Sequence, residues 1–394
     1  GFPYIFRGAL DVAAAAINEE MKMAAVRAIA DLARRPVPDI VNRAYHVRNF
    51  SFGPGYFIPK PVDPRLITEV SMAVAKAAMD SGVARRPIQD WKAYRQHLRE
   101  LMGQESKFTQ NLYDTARSNP KRVVFAEGTH PTMLEAAVRA KEEGICFPIL
   151  LGNDVQIRAI AENLKLNLEG IEILNLRNDN QNERRHRYAS IFAKKMERKG
   201  YTPQEAEDKM YERNYFGMMM VETGEADAFI TGLYTKYSNT IKVANEVIGI
   251  REGYNHFGTM HLINSKKGIL FVADTLINRH PDKDTLYDIA RLSASTVRFF
   301  NRTPVMAMLS YSNFGTDQVG SPATVHEVVA RMQETYPDLA IDGEMQLNFA
   351  MDKELRDEKY PFTRLKGLDV NTLVFPNLTA ANSSYKMVKS MVDE

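Results

Sequence analysis

The 394 residues are 44% hydrophobic and 25% charged, the composition of a globular chain of two to three domains at roughly 150 residues each. Lys and Arg number 51 against 49 Asp and Glu, a net charge of +2, which is too even for a chain built to hold nucleic acid. The one cysteine, Cys146, closes no intrachain disulfide, supplies no Cys-based zinc site and suits a reducing, cytoplasmic setting.

Residues 12–33 place Ile17, Met21, Ala24, Ala25, Ala28 and Leu32 at helical spacing, and Arg34-Arg35-Pro36 stops the run. Glu19, Glu20, Lys22, Arg27 and Asp31 exclude a signal-peptide core there. No stretch reaches about 18 apolar residues, so neither a membrane helix nor a membrane partner is expected. Residues 50–64, with several prolines among Phe, Tyr and Ile, predict an ordered loop. Helices follow over 65–82 and 90–118. The start at Gly1-Phe2-Pro3 and the end at Val392-Asp393-Glu394 both read as the middle of a longer chain.

From 121 onward the pattern changes to α/β. Apolar strands are predicted at 121–125, 147–152 and 171–176, separated by helices at 132–143 and 153–163. Two longer helices cover 184–199 and 203–223. Ala228-Phe229-Ile230 and the segments 258–264, 268–273, 304–309, 339–342 and 372–375 complete the strands. Strands alternating with helices predict parallel βαβ units, and the domain boundary falls within 85–120.

Ligands of open α/β sheets sit beyond the carboxyl ends of the strands. Four strand-end turns are rich in glycine, hydroxyl and amide groups: Glu127-Gly128-Thr129-His130, Thr231-Gly232-Leu233-Tyr234, Ser310 to Gly315, and Pro376 to Lys386. Such groups bind phosphates and carbonyls, although turns use the same residues for their own geometry. Neither G-x-G-x-x-G after a strand, nor a P-loop, nor H-E-x-x-H, nor G-x-S-x-G occurs, and no metal site is expected. Arg184, Arg185, His186, Arg187, Lys194, Lys195, Arg198 and Lys199 form the densest basic stretch, read as the solvated face of an amphipathic helix; one or two of these cations remain available to a phosphate. Asp274 and Asp342, each placed after a strand, serve equally as caps, hydrogen-bond hubs or catalytic groups.

The residues from about 120 to the end resemble the phosphate acetyltransferase (phosphotransacetylase) family. The carriers are Phe125-Ala126-Glu127-Gly128, Ala226 to Gly232, Ala307 to Ser312, Asp342-Gly343-Glu344-Met345-Gln346 and Phe375-Pro376-Asn377-Leu378. Residues 2–11, 17–22 and 52–66 resemble the end of the NAD(P)-binding half of malic enzymes, and that order is similar to the bacterial hybrid NADP-dependent malic enzymes. The resemblance implies a malic enzyme tail over 1–85, a helical linker over 86–120, and a phosphotransacetylase-like domain of parallel βαβ units in two lobes over 121–394. It implies malate oxidation to pyruvate and CO2 by a half lying upstream, with NADP and Mg or Mn, in a homo-oligomer.

Departures from the family pattern are Asn313-Phe314-Gly315 for its Thr-Lys-Gly, Asn348-Phe349-Ala350 for its Asp-Ala-Ala, and Lys242 for its coenzyme A arginine. The family's Ser-Arg pair and C-terminal Asp have no counterpart assigned. Lost titratable groups argue against acyl transfer, and Lys242 keeps charge without the bidentate fork. The domain is therefore expected to bind acetyl-CoA as an effector without catalysis, through Thr231, Gly232, Ser310, Tyr311, Ser312, Asn313, Asn377, Asn382, Ser383, Tyr385 and Lys386, with Lys242 and Arg198 as phosphate partners. The alternatives are an active phosphate acetyltransferase, or a scaffold that only drives oligomerisation.

Overall fold

The helix predicted over 12–33 begins later, at Glu19. Ala13 takes φ = 48°, breaking the run, and the Asn18 side chain accepts from Met21 N to start the helix afresh. What precedes it is a separate helix, so the chain opens with α1 (Tyr4–Asp11) and α2 (Glu19–Ala33). The computed structural model describes residues 1–35, 37–45, 47, 50, 52–101, 107–265 and 268–392, in two units, 1–248 and 249–394.

In the first unit, α3 (Asp39–Ala44) and α4 (Leu66–Asp80) follow. Met21, Ala25 and Leu32 of α2 bury against Val70, Val74 and Ala78 of α4. The predicted helix 90–118 is described as α5 (Trp91–Leu101) and α6 (Lys107–Ser118); its middle, 102–106, lies outside the described residues. Leu98 and Tyr94 of α5 join the α2–α4 core, and Trp91 meets Tyr94 edge-on at 6.2 Å.

A four-stranded, fully parallel sheet then forms in the order β3-β2-β1-β4, from β1 (Lys121–Phe125), β2 (Cys146–Leu151), β3 (Glu172–Leu174) and β4 (Ala228–Ile230). Strand alternation sends Phe125 and Leu150 to one face, against α7 (Pro131–Glu142) and α8 (Asp154–Leu164). Val124, Ile149 and Leu151 face α9 (Asn182–Met196), α10 (Pro203–Lys209), α11 (Arg213–Glu222) and α12 (Tyr237–Val247). The single helix predicted over 203–223 is thus two. A capping box between Thr202 and Glu205 starts α10, and Met210 to Glu212 interrupt it before α11.

The second unit holds β5 (Met260–Ser265), β6 (Gly268–Ala273), β7 (Val305–Leu309), β8 (Ala340–Met345) and β9 (Thr372–Val374), in the order β5-β6-β9-β7-β8. All neighbours are parallel except β5 and β6. This departs from the all-parallel expectation because a two-residue connection is too short for a crossover. One face packs on α13 (Lys283–Phe299) and α14 (Ser321–Thr335). The other carries α15 (Leu347–Met351) and α17 (Leu378–Val392), and α16 (Lys353–Lys359) packs on α15. Among the described residues no helix is long and apolar enough to cross a membrane.

Candidate functional site

Glu127 follows β1 directly and is only 1% exposed. Its Oε1 accepts from the Gly232 N–H at 3.1 Å and from Thr231 Oγ1 at 2.9 Å, across 104 residues of sequence. The adjacency of β1 and β4 makes this reach possible. Thr231 Oγ1 also lies 3.1 Å from Asn214 Oδ1; its one hydrogen goes to the carboxylate, the stronger acceptor. Gly232 sits at φ = +144°, backbone that only glycine adopts without strain. Glu127 Oε2 is shut off from water and has no donor among the described residues. Above this anchor, Tyr234 is 54% exposed. The His130 ring meets it edge-on at 5.4 Å, and the Arg213 guanidinium lies over its face at 5.4 Å. His130 Nδ1 accepts from Thr132 N, capping α7, which leaves its proton on Nε2.

The two phosphate partners expected from sequence lie differently. Lys242 faces along its helix to Glu246 at 3.8 Å. Glu246 in turn accepts from Tyr201 OH (3.0 Å) and Tyr215 OH (2.5 Å), which pushes the Tyr215 hydroxyl pKa up, burial being the larger cause. Arg198 lies in a 3-10 turn after α9. Lys195, three residues earlier, binds Glu222 at the end of α11 and the Val247 carbonyl at the end of α12. Both those helices begin at the Thr231 end, so Arg198 is at the far end of the layer and is not brought to the loop. The basic stretch is also less solvated than expected. Arg185 is buried, bonding the carbonyls of Leu176 and Asn178, while Arg184 and Arg187 both pair with Glu225.

In the second unit the loop after β7 is tied at almost every residue. Ser310 N donates to the Met345 carbonyl (2.9 Å), Phe314 N to the Glu344 carbonyl (2.8 Å) and Asn313 N to Thr316 Oγ1 (3.1 Å). Asn313 Oδ1 accepts from Gln346 N (2.9 Å), and Gln346 Nε2 donates to the Tyr311 carbonyl (2.7 Å). Glu344, fully buried, accepts from Gly315 N (2.5 Å) on one oxygen and meets His326 Nδ1 (3.2 Å) on the other. Tyr311 OH donates to Asp317 (2.8 Å), raising the tyrosine pKa and lowering the aspartate's. Ser312 is 5% exposed and its Oγ has no partner among the described residues. Gly343 stands at φ = +146°, and a Cβ there would collide with the Met308 carbonyl of β7.

The run Pro376 to Lys386, expected as a strand-end loop, is a loop only to Asn377. Asn377 Oδ1 accepts from Ala380 N (3.0 Å), and this cap starts α17 at Leu378. Asn382, Ser383, Tyr385 and Lys386 are therefore helical. Asn382 Nδ2 donates to the Thr275 carbonyl (3.1 Å), and Tyr385 stacks on His261 at 3.7 Å. His261 Nδ1 meets Thr275 Oγ1 at 2.6 Å, and burial, then Lys389, lowers its pKa. Ser383 and Lys386 are exposed. Asp274 is a hub, accepting from Thr259, Leu276 and Asn278. Asp342 lies inside β8 rather than after it, and accepts from Thr363 Oγ1 (2.6 Å) and Arg364 N (2.8 Å). Both carboxylates are spent on structure.

Where the family motif carries lysine, Phe314 packs on Tyr360 (4.8 Å) and Phe362 (5.0 Å); Phe349 meets Tyr360 at 5.0 Å. Sequence reasoning missed Arg213, Asn214 and His326. No sequence signal marked Arg213, which falls in the middle of the helix predicted over 203–223; only the split between α10 and α11 places it at a helix start, a position that disfavours a cation.

The family described as "Phosphate acetyl/butaryl transferase" matches residues 107–394. An NADP-dependent malic enzyme of Salmonella typhimurium is 42% identical over 389 residues, covering 98% of this chain and 51% of its own length. The chain thus spans about half the length of that relative. A phosphate acetyltransferase of Thermoanaerobacterium thermosaccharolyticum is 33% identical, covering 72% of this chain and 86% of that enzyme. The structure of a phosphotransacetylase from Streptococcus pyogenes aligns with a TM-score of 0.66 at 27% identity, over 73% of this chain and 87% of that one. Both resemblances read from the motifs are borne out.

Proposed function

The chain belongs to the phosphate acetyl/butaryl transferase family, and from that premise we propose that its phosphotransacetylase-like portion binds acetyl-CoA as an effector without turning it over. The candidate groups are the glycine- and hydroxyl-rich strand ends, each taken within its own unit: Thr231-Gly232 in the first, and Ser310 to Asn313 with Asn377 in the second. The observation that carries this reading is the aromatic cluster. Phe314, Phe349, Tyr360 and Phe362 pack where the family motif has a lysine and, one residue before Phe349, a carboxylate. Acid–base work needs a titratable group in place, whereas binding needs only the hydroxyls and N–H groups that remain.

We further propose that the whole polypeptide is an NADP-dependent malic enzyme, converting malate to pyruvate and CO2 with NADP and a divalent metal, and that it is a homo-oligomer. No residue of this chain is assigned to NADP or metal. Acetyl-CoA shifts malate oxidation by binding one global state more tightly than another, the requirement for any such coupling. The second reading, an active phosphate acetyltransferase, is favoured by the 86% coverage of the Thermoanaerobacterium enzyme.

Calorimetry with acetyl-CoA, run beside a CoA-release assay with acetyl-CoA and inorganic phosphate, separates the readings. Binding heat with no CoA released above the blank is expected. Turnover of about 1 s⁻¹ or faster, the ordinary range of an enzyme, makes the chain a transferase. Neither heat nor release leaves the oligomerisation scaffold.

A further inference from the structure

Three cations of the first unit are held by carboxylates: Arg184 and Arg187 pair with Glu225, and Lys242, on the helix that follows the Thr231 loop, with Glu246. Arg213 is not. It is half-buried, and its one polar or ring interaction with a described residue is with the Tyr234 ring at 5.4 Å. A guanidinium carries five N–H donors in a fixed fork, and here the fork engages no acceptor among the described residues.

Its position breaks a local rule as well. Arg213 is the first residue of α11, where unpaired helix N–H groups already present positive charge, and no side chain caps that end. Helix α12 begins the same way, with Lys236 at the cap position and no side-chain cap. Helices α8 and α10 of the same unit are capped by Asn153 and Thr202. Both uncapped ends flank one loop. Asn214, beside Arg213, lies 3.1 Å from Thr231, and α12 follows that loop directly.

A separate observation comes from beneath the loop. Glu127 holds Thr231 and Gly232 with one oxygen, while the other, fully buried, has no donor among the described residues. An unmet buried acceptor is costly and calls for a ligand donor. A molecule bearing both phosphate and N–H groups answers both vacancies, and coenzyme A is of that class.

We propose that Arg213, seated on Tyr234, is an anion subsite at the carboxyl end of β4 that takes a phosphate of a coenzyme A-class ligand. The fork binds phosphate bidentately, and the exposed tyrosine ring adds area for a base. This rests on the reading of the chain as an acetyl-CoA binder.

The test is calorimetry on the 394-residue chain with acetyl-CoA, 3′-dephospho-acetyl-CoA and inorganic pyrophosphate, using Arg213→Gln, Arg213→Lys and, as a charge control, Arg198→Gln. Arg213→Gln is expected to weaken acetyl-CoA by about 10- to 100-fold, as for a lost charge-assisted bond. Arg213→Lys recovers part of this, and Arg198→Gln matches the parent. If the parent chain binds the dephospho ligand as weakly as Arg213→Gln does, the contact is the 3′-phosphate; if the variant loses affinity for both ligands, it is the diphosphate. Equal acetyl-CoA affinity of Arg213→Gln and the parent overturns the subsite while leaving the effector reading intact. Should the parent bind no acetyl-CoA, that reading falls, and pyrophosphate decides the subsite. Binding by the parent that Arg213→Gln abolishes upholds an anion site, and no binding overturns it. A lower melting temperature for Arg213→Gln with unchanged ligand affinity marks the arginine as a counter-charge for Glu127 and also overturns it.

Discussion

Glu127 in the first unit and Glu344 in the second occupy matching positions in separate sheets. Each is a buried carboxylate at the carboxyl end of a strand, and each accepts the N–H of a loop glycine from the neighbouring strand. They differ in what the second oxygen does. Glu344 has His326 on it, and its loop is tied further through Asn313, Gln346 and Thr316. Glu127 has no donor on it among the described residues, and the loop it holds carries an exposed tyrosine whose ring lies under the arginine that opens α11. The same device therefore yields a finished loop in one sheet and an open one in the other. Polar groups already paired offer a ligand little, whereas unmet ones mark where binding energy is still to be gained.

That contrast can be broken experimentally. Glu344→Ala leaves a buried N–H and the rest of its loop without an anchor. It should cost about 2–4 kcal/mol in denaturant unfolding. Glu127→Ala removes two bonds but also an unsatisfied oxygen, so about 1–2 kcal/mol is expected, with faster hydrogen exchange at the Gly232 amide. Equal losses in the two variants would defeat the contrast.

A smaller effect concerns His261. Burial depresses its folded pKa below 6.5, so its contribution is present above the unfolded value and is lost as pH falls below about 6.5. Melting temperature followed from pH 7 to 5 should fall less steeply in His261→Phe than in the parent. The smallest concerns Asp227, away from both loops, where Arg122 lowers the carboxyl pKa to about 2. An NMR titration should give that midpoint, with any stability from the pair lost as pH falls from about 4 towards 2. In Arg122→Ala the midpoint should return to the ordinary carboxylate range; no movement would remove the arginine as its cause.

Strands were legible where a short apolar run ends in a turn: Val123-Val124-Phe125 closes β1, which stands at its predicted bounds, 121–125. Helix limits were less so. The breaks at Ala13 and at Met210 to Glu212 come from backbone angles and caps that periodicity does not register. The strand-end turns were visible as turns, but the function of Glu127 depends on a contact 104 residues away. Arg185 is the converse, a member of a charged run that folds inward to satisfy carbonyls. Arg213 gains meaning only once α10 and α11 separate and set it at a helix start.

Trp91, the chain's one tryptophan, sits on α5 in the first unit. Its emission therefore reports on the helical core of α2, α4 and α5 on which it packs, and the second unit has no such chromophore. A transition visible in far-ultraviolet ellipticity yet silent in tryptophan emission lies outside that core. The melting of the helical core is thereby observable beside that of the whole chain in one cuvette, without labels and without cutting the chain.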